Sequence, residues 1–259
     1  MVLFMGNARN IARRRKVIKI LGSRPFAAAL VAVAMLFLSL TYRAAVLNRS
    51  AMQSLVDGQK PVTAIIDAGH GGIDGGTSAA DGTLEKVLNL QIAEKLNDIL
   101  RLYGYSTVMT RTDDNSIYDP GTKTIRKQKV SDINNRMAIM NKTDNCIFIS
   151  IHQNYIQGAN NSGSIVFYSG NNEESKILAD FIQQSIKKSL QPESKRGTIK
   201  SGSSIYLLHN AKKPAVLVEC GFLSNPNETK LLKSEDYQKK LAFSIANGIL
   251  DYINYLKEE

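Results

Sequence analysis

The chain has 259 residues, 43% of them hydrophobic, which suffices for one sizeable core in one domain or two small ones. Its formal charge of +10 suggests a nucleic-acid or acidic partner, but residues 1–56 hold nine Lys/Arg and no acid, leaving 24 basic residues against 23 acidic ones in the rest. The basic signal belongs to the tail, and the near-neutral remainder argues against a dedicated nucleic-acid surface.

In chain order, residues 1–24 form a basic tail, and Pro25–Tyr42 (PFAAALVAVAMLFLSLTY) carries no charge. Such a run reads as a signal peptide or a transmembrane signal anchor, at the short end for a span. The absence of a good small-x-small cleavage site favours the anchor, and the positive-inside rule places residues 1–24 in the cytoplasm and the bulk of the chain across the membrane. Residues 43–60 read as a polar linker. Pro61 opens a strand over Val62–Asp67, which runs into a loop dense in glycine around His70 (IIDAGHGGIDGGT). Thr83 is placed to cap a helix whose Leu84, Leu88, Ile92, Leu96 and Leu100 make one apolar stripe, stopped by Gly104. Tyr105–Thr110 reads as a strand. A polar stretch from Arg111 to Lys129 follows, with a turn at Asp119-Pro120-Gly121, and Ser131 is placed to start a helix to about Asn141. The apolar run Cys146–Ile151 ends on His152. Ser164–Tyr168 reads as a strand, Glu173–Leu190 as an amphipathic helix, 191–204 as a loop and Ile205–Leu208 as a short strand. Ala215–Glu219 is an apolar strand ending on its glutamate, and Pro226 to about Tyr255 is helical with a break near Lys233–Ser234. Strands alternating with helices predict an α/β fold: a single domain over 61–257, with a largely parallel twisted sheet of about six strands flanked by helices. Cys146 and Cys220 read as buried thiols, although a disulfide is open to an exported domain.

Three strands thus end on a polar, reactive residue: His70, His152 and Glu219. In a parallel sheet the carboxyl ends share one edge, so residues far apart in sequence can converge there. Each histidine alone reads more readily as a hydrogen-bonded loop residue than as a ligand, but a carboxylate closing a buried strand needs a partner. Glu85 lies in the first turn of the following helix, where the dipole alone favours a carboxylate. If the loop folds back to bring it to His70, two histidines and a carboxylate supply what catalytic zinc uses. Spacing alone does not settle the matter, because no compact HExxH signature is present.

The segments IIDAGHGGIDGG, LEKVLNLQIAEKL, MTRTDD (109–114), ISIHQN (149–154) and VLVECGFLSNPNE (216–228), in that order, resemble those of zinc-dependent N-acetylmuramoyl-L-alanine amidases, which cleave peptidoglycan. The resemblance covers residues 61–257. It implies a Zn2+ held by His70, Glu85 and His152, with Glu219 as the catalytic residue, and a peptidoglycan glycan strand with its stem peptide as substrate. The stretch 119–136, and the layout of a membrane segment before a catalytic domain without wall-binding repeats, resemble the spore-cortex (germination-specific) amidases of endospore-forming bacteria. That narrower resemblance implies a role in making muramic-δ-lactam and a location between the forespore membranes. Asn154 shares the side-chain direction of His152 if the strand continues, and orients substrate or forms a turn. His209 reads as a surface or groove residue. Arg111 and Arg136 match arginines of the family pattern and read as structural partners of Asp114 or Asp132; Arg126, Lys127 and Lys129 read as a solvated face. The polar stretch 111–130 leaves room for a regulatory protein partner. Two alternatives stay open: another zinc peptidase cutting within the stem peptide, and a non-catalytic, membrane-tethered wall-binding protein.

Overall fold

The computed structural model describes residues 24–56, 61–157 and 161–258. The expected basic tail thus lies, but for Arg24, outside the described residues. The chain divides into two compact units, Met1–Asp57 and Gly58–Glu259. In the first, helix α1 (Arg24–Val56) contains the whole uncharged run and continues through most of the stretch expected as a linker. Leu30, Leu36, Phe37 and Leu38 on it are all exposed. Among the described residues no helix is long and apolar enough to cross a membrane.

The second unit is an α/β domain. Its elements are β1 (Thr63–Ala68), α2 (Glu85–Leu102), β2 (Ser106–Met109), α3 (Ile125–Lys142), β3 (Cys146–Asn154), β4 (Ile165–Tyr168), α4 (Glu173–Ser189), β5 (Ile199–Lys200), α5 (Tyr206–Asn210), β6 (Ala215–Phe222), α6 (Pro226–Leu232) and α7 (Glu235–Glu258). Six strands form one sheet in the order β2-β1-β3-β6-β4-β5. The first four are mutually parallel; β4 runs antiparallel to β6 and parallel to β5. The expected six-stranded, mostly parallel sheet is present.

Period-2 alternation divides the strands between two cores. Ile66, Ile149, Ile151, Val216 and Val218 join Leu88, Ile92, Leu96 and Leu100 of α2, together with α4 and α7, in the larger cluster. Ile65, Phe148, Ala215 and Leu217 point to the other face, where Met137 and Met140 of α3 and Leu208 of α5 cover them. On that second face each strand changes from apolar to polar toward its carboxyl end. Ile65 is followed two residues on by Asp67, Phe148 by Ser150 and then His152, and Leu217 by Glu219.

Four local expectations fail, each for a physical reason. Thr83 does not cap α2: its hydroxyl bonds Asp81 Oδ1 at 2.7 Å, the position before the helix is Leu84, and Leu84 lies outside the buried stripe. Helix α3 starts six residues earlier than Ser131, with Thr124 accepting from the Lys127 amide. Its first two turns are charged and leave no apolar stripe to read; the buried residues of α3 are Arg136, Met137 and Met140. Residues 206–210 form a helical turn where a strand over 205–208 was expected, because a four-residue apolar run does not distinguish the two. The sixth strand is instead β5, inside the stretch 191–204 expected as a loop, where two exposed residues pairing with β4 leave no apolar run.

Candidate metal centre

The site sits at the carboxyl ends of β1, β3 and β6, closed from the side by the start of α2. His152 and Glu219 are paired neighbours in the β3–β6 register, so both rise from the same face of adjacent strands. His70 follows β1 with φ 61°, a left-handed conformation that is uncommon outside glycine and here makes the turn. The turn is closed by paired amide–carbonyl bonds between Gly71 and Asp74, at 2.9 and 3.0 Å.

Glu85 is brought in from the opposite side of the loop. Its amide donates to the Thr77 carbonyl at 3.0 Å, and its Oε2 accepts from the Thr77 amide at 2.8 Å and hydroxyl at 3.1 Å. Its Oε1 faces both imidazoles, 3.0 Å from His152 Nδ1 and 3.3 Å from His70 Nε2. The same oxygen accepts from the Gln153 amide at 3.1 Å and from Asn89 Nδ2 at 3.3 Å. Asn89, one turn along α2, also donates to the Gly69 carbonyl at 3.1 Å, tying helix to loop.

Donor atoms of His70, Glu85 and His152 all lie within 4.8 Å of one another. Two imidazoles and a carboxylate at this spacing, converging from three elements, fit the donor set of a zinc ion that keeps an open position. Electrostatics agree. Burial opposes the charge on Glu85, but the hydrogen bonds and charges of His152 and His70 hold its carboxyl well below the usual range. Burial likewise opposes a proton on His70, yet Asp74 and Glu85 outweigh it and raise the ring to about 9. The four donors on Glu85 besides the imidazoles, the Thr77 amide and hydroxyl, the Gln153 amide and Asn89 Nδ2, are thus arranged for an ionised carboxylate.

Glu219 differs. Burial pushes its carboxyl up to about 7, with the Glu85 charge adding and the two histidines subtracting. Its Oε2 is buried without a hydrogen-bond partner. A carboxylate left unpaired beside a donor cluster is held ready for something the protein itself does not supply.

Beside the donor cluster, Gly69 and Gly76 leave no room for a side chain. A Cβ at Gly69 would overlap the His152 ring. Gly76 combines φ +69° with a Cβ position 2.5 Å from Glu85 Oε2 and 2.8 Å from the His70 ring. Gly69→Ala is therefore expected to displace His152 and to destabilise the domain by about 1–3 kcal/mol through overpacking. Thermal unfolding and zinc retention measured together check this, and a variant with both at wild-type level contradicts the packing described.

Beneath the site the expected Arg136–Asp132 pair is present, but sequence reasoning did not find Asp67 or the arginines' hold on the loop backbone. Asp67 is fully buried and accepts from Thr110 Oγ1 at 2.7 Å, Ser150 Oγ at 2.6 Å and, at closer range, Arg136 Nη1. Arg136 also donates to the carbonyls of Ala68 at 2.9 Å and His70 at 2.7 Å, and pairs with Asp132 at 2.7 Å. Arg111 does not pair with Asp114. It donates to the carbonyls of Ala68, Gly69, Lys86 and Asp113 at 2.8–3.0 Å, while Asp114 takes Lys86. Two arginines thus grip the backbone from which His70 hangs. Their signal in the sequence is an aspartate inside an otherwise apolar strand, which a buried cation must answer.

The remaining candidates lie elsewhere. The β3–β6 register shifts between His152 and Asn154, so alternation does not carry His152's direction to Asn154, whose carbonyl accepts from the Leu223 amide at 2.8 Å. His209 is exposed in the last turn of α5. Cys146 and Cys220 are buried free thiols.

Known proteins share this build. A family model described as N-acetylmuramoyl-L-alanine amidase matches residues 64–251. The germination-specific N-acetylmuramoyl-L-alanine amidase of Bacillus subtilis is 38% identical over 187 residues, covering 72% of this chain and 78% of that protein. The CwlD amidase of Clostridioides difficile, solved in complex with the GerS lipoprotein, superposes with a TM-score of 0.72 at 39% identity, covering 74% of this chain and 98% of that one. An N-acetylmuramoyl-L-alanine amidase from Clostridium difficile 630 gives 0.65 at 32% identity, covering 75% of this chain and 97% of that one. With the match running from inside β1 to the last turns of α7, and so across every strand that carries the site, the chain belongs to the N-acetylmuramoyl-L-alanine amidase family.

Proposed function

We propose that His70, Glu85 and His152 hold zinc and that Glu219 is the proton-transferring residue of an amidase cutting between N-acetylmuramic acid and L-alanine. The observation that carries this reading is the convergence of the three donors within 4.8 Å, with the Glu219 carboxylate, its Oε2 buried without a hydrogen-bond partner, one strand away from His152. Zinc, when bound, supplies Lewis acidity toward the lactyl carbonyl and the attacking water. Glu219 takes a proton from that water and returns it to the departing alanine nitrogen, one carboxylate serving as base and then as acid. A carboxyl poised near neutrality suits both halves of that exchange. The Asp67–Arg136 pair and Arg111 hold the loop, so that His70 does not move as charge changes beside it.

The test is digestion of purified muropeptides with and without a chelator. Free, intact stem peptides, lost on chelation and restored by zinc, support the reading; fragments cut within the stem peptide overturn it in favour of a peptidase.

Metal uptake has to displace the proton that His70 holds below about 9. The zinc dissociation constant is therefore expected to tighten by about tenfold per pH unit between pH 6.5 and 8.5, one proton being released per ion. Chelator competition across that range checks it; a flat profile removes His70 from the donor set.

The cellular role we propose is in the spore cortex, supported by the resemblance of residues 119–136 and by the germination-specific relative. A protein partner is supported by the GerS complex of the C. difficile neighbour. Attachment to a membrane through residues 25–42, with the domain on the extracytoplasmic side, is supported by the uncharged run and by apolar side chains exposed along α1.

A further inference from the structure

We propose that helix α3 positions the His70 ring through a two-step contact, Lys129 holding Asp74 and Asp74 holding His70. The inference rests on the reading of His70 as a zinc ligand. Asp74 Oδ2 lies 2.9 Å from His70 Nδ1, and Asp74 Oδ1 lies 2.8 Å from Lys129 Nζ. Both carboxylate oxygens are used, one on the ring and one on a cation delivered from 55 residues away in sequence. Accepting at Nδ1 fixes the neutral ring with its proton there and leaves the Nε2 lone pair turned toward Glu85. His152 is presented the other way, with Nδ1 toward Glu85. The two histidines therefore offer different nitrogens, and for His70 the choice is made by Asp74.

The same helix holds the same residue at its backbone. Lys129, Asp132 and Arg136 are spaced by three and four, so they share one face of α3. Lys129 reaches the His70 ring by way of Asp74, Arg136 donates to the His70 carbonyl, and Asp132 pairs with Arg136 and accepts from the Ile117 amide at 2.7 Å. One stripe thus fixes ring and main chain together. This corrects the reading of Lys129 as part of a solvated basic face. Lys129 is half-exposed, and an ion pair in that setting adds little to folding. Its effect belongs in metal affinity.

Zinc affinity of the full chain, measured by chelator competition, tests this with Asp74→Ala, Lys129→Met, Lys129→Arg and His70→Ala. Removing an outer partner of a ligating histidine costs 10–100-fold in affinity. Asp74→Ala is expected in that range, Lys129→Met at its lower end of about tenfold, and Lys129→Arg close to wild type. The metal-free Lys129→Met protein should unfold at the wild-type temperature, which separates positioning from folding. Nitrogen-15 spectra of the zinc-loaded protein should show His70 protonated at Nδ1. If Asp74→Ala and Lys129→Met keep wild-type zinc affinity while His70→Ala loses it, the positioning role is overturned and the zinc site stands. If His70→Ala itself keeps zinc, the reading of the site falls, and this inference with it.

Discussion

Glu219→Gln is expected to lower turnover of muropeptides by about 10²–10⁴-fold while zinc content stays at the wild-type level. The substitution keeps the shape of the side chain and removes only its ability to exchange a proton. Zinc retention should be unaffected because the donor cluster consists of His70, Glu85 and His152, with Glu219 outside it. Stability should move the other way. The Glu219 carboxyl is raised from 4.5 to about 7 by burial, so the folded state favours its neutral form. That contribution is complete below pH 4.5 and is lost as pH rises through 7. Above pH 7 the metal-free wild type carries a half-buried carboxylate, its Oε2 without a hydrogen-bond partner, that the amide variant lacks. Metal-free Glu219→Gln should then unfold at a higher temperature than the metal-free wild type, with the gap closing at acid pH. A variant that is inactive, retains zinc and is more stable when metal-free is the signature of a group kept for chemistry at the expense of folding. Wild-type turnover would falsify the proposed role.

Arg136→Met is expected to cost about 3–5 kcal/mol, the usual consequence of removing one member of a buried ion pair. Arg136 and Asp67 are both almost wholly buried, and Asp67 is held well below the usual carboxylate range chiefly by the guanidinium, against its burial. Without Arg136, Asp67 keeps only the hydroxyls of Ser150 and Thr110, and the carbonyls of Ala68 and His70 each lose a donor. Denaturant midpoints measure the loss; a value under about 1 kcal/mol would show that Asp67 finds another partner. The wild-type contribution has its own pH signature. Because the Asp67 carboxyl is depressed in the folded state, its stabilisation is present above pH 3.8 and disappears as pH falls toward its folded value. The double variant Asp67→Leu with Arg136→Met should recover part of the loss, since replacing both partners removes the stranded charge.

Much of this protein was legible in the sequence because its signals are local. The strands around Ile65, Phe148 and Val216, and the stripe Leu88–Ile92–Leu96–Leu100, follow from periodicity and are buried where periodicity puts them. Elements without an apolar period were misread: the charged start of α3 and the short turn at 206–210. Exposed polar residues carry no information about where a helix starts when its packing rests on an arginine and two methionines.

By itself, the sequence determined the alternation of strands and helices, the placing of His70, His152 and Glu219 toward the carboxyl ends of their strands, although β3 and β6 run on to Asn154 and Phe222, and the glycine loop before Glu85. Only the tertiary structure decided that these meet. Strand order is a matter of pairing between distant segments, and placing β3 between β1 and β6 is what sets His152 beside Glu219 and within reach of the turn that carries His70. The partners that aim the site were likewise invisible in one dimension. Asp67 meets Arg136 across 69 residues, and Asp74 meets Lys129 across 55. A hydrogen bond a few ångströms long fixes orientation only after the chain has closed those loops, and periodicity, which reports burial one residue at a time, has no term for it.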